Sequence, residues 1–86
     1  MQKSITAPEY RLLIDMLRKA REDRNVTQAE VAERLGITAS QLSKWERRER
    51  RIDVRELALY CNAAGIDPVE LISSWLKAWP SSTVAR

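Results

Sequence analysis

Histidine and phenylalanine are absent from this chain, cysteine occurs once, and glycine only twice. With no histidine and a single thiol, the usual nucleophile–base pairs and metal-ligand sets cannot be assembled. The carboxylates that remain are better explained as helix caps or charged surface. No enzyme is therefore expected, and no metal, cofactor or small-molecule ligand. The lone Cys61 cannot form a disulfide within the chain and reads as a small core hydrophobe. No apolar run is long enough to span a bilayer. The opening MQKSITAPEY lacks the apolar segment of a signal peptide. A cytoplasmic protein with no membrane partner is expected. In place of phenylalanine, three Trp and two Tyr must supply the large aromatic volume.

What is present organises itself as helices. Eighty-six residues suit one domain with a modest core. No segment alternates like a strand between hairpin turns. Five pairs instead show a cap followed three residues later by an acceptor: Thr6–Glu9, Thr27–Glu30, Thr38–Gln41, Asp53–Glu56 and Asp67–Glu70. They predict an all-α domain over residues 1–79, with helices at about 7–24, 28–35, 39–47, 54–63 and 68–79, and a disordered tail at 80–86. Tyr10, Leu13, Ile14, Leu17 and Ala20 form the apolar stripe of the first helix. Leu57, Ala58 and Cys61 should face the core from the fourth, and Gly65 lies near its end. Pro68 suits the first position of the fifth.

The most informative stretch is Thr27 to Trp45. Two capped helices are joined at Gly36, where a left-handed residue turns the chain. Ala32 is small enough for a crossing helix to come close. Val31, Leu35, Ile37, Leu42 and Trp45 are spaced to face one interior. Ala39, Ser40, Ser43 and Lys44 face outward with no core to fill. This is a helix-turn-helix pattern. Net charge is +3, yet Arg34 to Arg55 carries seven basic and three acidic residues, a local +4 against −1 elsewhere. That concentration suits a phosphate backbone.

At these residues the chain resembles the phage-repressor and Cro-type family, also called XRE-type. The Q-A-E-V-A-x-x-L-G-I start at Gln28 and the S-K-W-E end at Ser43 to Glu46 carry the likeness. It extends through L-R-K-A-R ending at Arg21, R-R-I-D-V from Arg50 and A-G-I-D-P-V-E-L from Ala64, about three quarters of the chain. The resemblance implies a compact five-helix, lambda-repressor-like domain that binds double-stranded operator DNA as a homodimer. It also implies that Gln28 binds a phosphate and that Arg21 pairs with Glu46. Related sequences usually carry glycine where this chain has Arg48. Either the third helix continues through Arg48, which helix propensity favours, or the residue is strained.

The reading that follows is a sequence-specific transcriptional repressor. Ala39, Ser40, Gln41, Ser43, Lys44 and Arg47 are the candidate base-reading residues, with Lys44 suited to guanine; Gln41 is alternatively held by its cap. Thr27, Gln28, Arg48, Arg50 and Arg51 are the candidate phosphate contacts. Val69, Leu71, Ile72, Trp75, Leu76 and Trp79 cover more of the fifth helix than one core stripe needs. Leu71, Ile72, Trp75, Leu76 and Trp79 are thus the candidate dimer interface, with Trp75 or Trp79 crossing the two-fold axis. Two alternatives remain: an antitoxin with a toxin partner, or an adaptor that binds protein rather than DNA.

Overall fold

Four of the five helices begin where a side chain replaces backbone partners that the first turn lacks. A computed structural model describes residues 7–79, which hold five helices: α1 Pro8–Asp23, α2 Gln28–Leu35, α3 Ala39–Glu46, α4 Val54–Ala64 and α5 Pro68–Ala78. No strand occurs among the described residues. Thr27, Thr38 and Asp53 cap α2, α3 and α4 in reciprocal boxes with Glu30, Gln41 and Glu56. Asp67 accepts from the backbone N–H groups of Val69 and Glu70 to cap α5. The first helix departs from the expected pattern. Its N-cap is Ala7, with no side-chain bond, and Pro8 follows; Thr6 and the tail at 80–86 lie outside the described residues.

The helices close around Leu13, Ile14, Leu17, Val31, Leu42, Trp45, Tyr60 and Cys61. α2 packs on α3 and α4, while α1 packs on α5 and α3. Ala32 is buried in this core and Ala20 partly so. The inward stripe of α4 is turned from the expected one. Leu57, Tyr60, Cys61 and Ala64 follow helical spacing, and Ala58 is exposed. Arginines from other elements complete the end of α4. Arg34 donates to the Ala63 carbonyl and Arg24 to the Gly65 carbonyl.

Four helices end in the same paired hydrogen bonds around one left-handed residue. After α1 the residue is Asn25 (φ 58°), after α2 Gly36 (φ 71°), after α3 Arg48 (φ 61°) and after α4 Gly65 (φ 75°). Asparagine and glycine tolerate this region; arginine pays about 1–2 kcal/mol there. The expectation that the third helix runs on through Arg48 is therefore corrected. The chain turns back because Ile52 must reach the core, where it is buried and its N–H donates to the Tyr10 hydroxyl at 3.0 Å. Burying one isoleucine side chain contributes about 1.5–3 kcal/mol, enough to outweigh the strain. The Arg48 guanidinium also lies 3.6 Å from Asp15 of α1, an exposed pair worth little.

A sign test follows from this turn. Arg48→Gly should raise stability by about 0.5–1 kcal/mol, a gain of a few degrees in Tm. Glycine within a continuing helix would instead lower stability by about 1 kcal/mol. A thermal melt of the variant separates the two.

Candidate nucleic-acid interface

The N-termini of α2 and α3 open onto one cleft, lined by Thr27, Gln28, Ala29 and Ala39 together with Arg21, Glu22, Asn25 and Val26. Free backbone N–H groups and the positive ends of two helix dipoles favour an anion here. Thr27 is exposed but occupied by its cap. Gln28 is half-buried, and its Nε2 donates to Glu46 Oε1 at 2.8 Å. One amide N–H of Gln28 is thereby used and a second remains.

The outer face of α3 presents Ala39, Ser40, Gln41 and Lys44 to solvent. The Gln41 carbonyl oxygen accepts from the Thr38 N–H at 2.9 Å, which leaves its amide donors outward. Ser43 and Arg47 are placed differently. Ser43 is half-buried, and its hydroxyl accepts from Arg47 Nη1 at 2.7 Å. Arg47 also forks onto the Glu49 carboxylate at 2.8 and 3.3 Å. That contact holds the Glu49 pKa below the ordinary carboxylate value. Both partners are about half exposed, so a phosphate can compete with such a pair.

The arginines after α3 are similarly engaged. Arg50 forks onto Glu56 at 2.7 and 3.0 Å and lies 5.6 Å from the centroid of the Trp45 ring. Its hydrogen bonds hold Glu56 below the ordinary carboxylate pKa. Arg48 faces Asp15, and Arg51 is exposed. Of the basic run, Arg34 is turned away towards α4. Lys44 and Arg55 stand exposed on the surface.

Beneath the interface four helices meet at one carboxylate. Glu46, 3% exposed, accepts from Arg21 Nε at 2.7 Å and Nη2 at 2.9 Å. It also accepts from Gln28 and from the Tyr60 hydroxyl. Arg21 reaches on to the Val26 carbonyl at 2.7 Å. Burial alone would raise the Glu46 pKa, but bonds from Arg21, Tyr60 and Gln28 bring it below the ordinary value. Burial and the neighbouring carboxylate push the Tyr60 phenol well up. The sequence pattern does not bring Tyr60, Glu56 or Asp15 to the site, whereas Glu49 is near enough in sequence to neutralise the arginines around it. Of the first three only Tyr60 carries a signal, through the phase of the α4 stripe; the other two depend on distances between elements.

On α5, Leu71 lies in the core. Trp75 and Trp79 are half-buried: the Trp75 indole N–H donates to the Glu9 carbonyl at 2.8 Å, and Trp79 meets it edge-on at 5.1 Å. The aromatic surface thus closes α5 onto α1. Exposed apolar area remains at Val54 (82% exposed), Val69 (75%) and Leu76 (54%). A groove between α4 and α5, lined by Val54, Leu57, Ala58, Pro68, Val69 and Ile72, joins part of it. No helix among the described residues is long and apolar enough to cross a membrane.

A helix-turn-helix family model matches residues 17–71. An XRE-family like protein from Pseudomonas syringae pv. tomato is 42% identical, with a TM-score of 0.79 over 84% of this chain and 88% of that one. The clp gene regulator ClgR from C. glutamicum is 26% identical, with a TM-score of 0.73 over 86% and 96%. No curated protein matches the sequence.

Proposed function

Because this chain belongs to the XRE-type helix-turn-helix family and is a DNA-binding transcription regulator, we propose that it acts as a dimeric repressor. In this reading α3 enters the major groove in each half of a palindromic operator, and occupancy blocks the promoter. The observation that carries it is the outer face of α3, where Ala39, Ser40, Gln41 and Lys44 are exposed together with no core to fill. Lys44 supplies a donor for guanine O6 and N7, Ala39 a surface for a thymine methyl, and Ser40 and Gln41 further donors. The N-terminus of α2, with Thr27 and Gln28, meets a backbone phosphate. Arg47, Arg48, Arg50 and Arg51 frame the other end, where the weak ion pairs of Arg47 and Arg48 yield to phosphate.

The dimer contact is the α4–α5 face rather than the tryptophans. Val69, Ile72 and Leu76 share one side of α5, and Val54, Leu57 and Ala58 share one side of α4, so a second copy covers both. Selection of bound DNA from a random library at fixed salt tests the whole reading. A palindrome with half-sites about 34 Å apart is expected. Enrichment of a lone half-site would remove the dimer, and no enrichment would remove sequence specificity.

Lys44 and Arg51 should fail differently. Lys44→Ala should lose about 1–3 kcal/mol of discrimination at one base pair per half-site. Arg51→Ala should weaken all sequences alike and lower the salt slope by about one unit per lost phosphate contact. Binding to the selected site and its single-base variants over a salt series reads both. Equal weakening of every variant by Lys44→Ala would make Lys44 a backbone contact.

A further inference from the structure

We infer that Glu46, a buried anion, is a positioning residue for DNA binding: its carboxylate fixes the Gln28 amide so that one N–H is already aimed outward before DNA arrives. The inference rests on the reading that Gln28 meets a phosphate. Glu46 ends α3 and Gln28 begins α2, and their contact is 2.8 Å. An amide has two ends of opposite sense. A phosphate accepts hydrogen bonds only, so Gln28 helps if Nε2 faces it and repels if the carbonyl oxygen does. Glu46 also only accepts, so it selects the orientation that keeps Nε2 on its own side, leaving the other N–H of the same nitrogen for phosphate. The carboxylate itself has no freedom to follow another geometry. Arg21 holds both of its oxygens, and the Tyr60 hydroxyl holds Oε2. The phosphate clamp on α2 is thereby tied to the end of the reading helix, and both are set by one rigid group.

The effect has a sign that bulk electrostatics would not produce. Glu46→Gln removes a negative charge and should, by charge alone, tighten binding to DNA and steepen its salt dependence. Positioning predicts the reverse: affinity falls about tenfold for every sequence, as it does for Gln28→Ala, with the salt slope unchanged because no cation is lost. The two losses should not add in the double variant. Ile14→Val is the comparison for a merely structural role, since it trims a fully buried core side chain and removes no hydrogen-bond partner of Glu46 or Gln28; it should lower Tm yet leave DNA affinity within about twofold. If Gln28→Ala has no effect, the phosphate reading of Gln28 fails. If Gln28→Ala weakens binding while folded Glu46→Gln does not, or the losses add, the positioning role fails. Should Glu46→Gln not fold, side-chain 15N relaxation of the parent protein without DNA decides: an order parameter near the rigid value of about 0.85 is expected for Gln28, and one below about 0.6 would overturn the inference.

Discussion

Arg21→Ala is expected to cost about 3–5 kcal/mol of folding stability, because it strands the buried Glu46 carboxylate. Arg21 supplies two of that group's hydrogen bonds and also satisfies the Val26 carbonyl at the turn after α1. The loss is a large share of the stability typical of a small domain. At about 4–8 °C per kcal/mol it should lower Tm by more than ten degrees. The pH dependence follows from Glu46. Its folded pKa lies below the ordinary 4.5 despite burial, owing to Arg21, Tyr60 and Gln28. A group depressed in this way stabilises the fold fully above its unfolded value, and the contribution is lost as pH falls through the folded one. Without Arg21 the carboxylate loses two hydrogen bonds and its cationic partner, so its pKa moves up relative to the parent's and the buried charge is penalised at neutral pH until protonation relieves it. The gap between parent and variant should therefore narrow as pH falls from the variant's higher Glu46 pKa to the parent's depressed one. Urea melts at neutral and acidic pH measure it. Coincident melts at neutral pH, or a gap independent of pH, would contradict the network's role.

Val69→Asp should separate the dimer and reduce affinity for a palindromic operator by about a hundredfold or more, while affinity for a single half-site stays the same. Val69 is 75% exposed beside the α4–α5 groove, so the protomer does not need it for its own core. A carboxylate in the first turn of α5 also suits the positive end of the helix dipole, so the protomer should fold at least as well as the parent. At the proposed interface the same charge would be buried against Val54, Ile72 or their counterparts without a partner, which is costly. Sedimentation without DNA and titration against half and full sites read the two effects. A parent protein that stays monomeric at high micromolar concentration, or a variant that remains dimeric, would move the dimer contact elsewhere.

Much of the fold was legible because it is written in short-range chemistry. Thr27 with Glu30, Thr38 with Gln41 and Asp53 with Glu56 close their boxes within three residues. Gly36 and Gly65 sit at positive φ where a helix must stop. The inward set Val31, Leu42 and Trp45 and the outward set Ala39, Ser40 and Lys44 follow from helical spacing alone. The α1 stripe was read from the same rule. Where the reading slipped, as at Ala58, a neighbouring phase of the same helix fitted the pattern almost as well.

Sequence by itself thus determined five helices, the starts of the four with side-chain caps, and the family pattern with its outward reading face, because each depends on residues a few positions apart. Tertiary structure decided where the long polar side chains go. Arg47 is folded back onto Ser43 and Glu49, Arg50 onto Glu56 and Trp45, and Arg48 into a left-handed turn that brings Ile52 inward. Tyr60 joins Glu46 across 14 residues, and Trp75 reaches the Glu9 carbonyl across 66. A flexible arginine or a large indole has many partners within reach of its composition and spacing. Only the packing of helices distant in sequence chooses among them, by setting which carboxylate or carbonyl stands within hydrogen-bond distance.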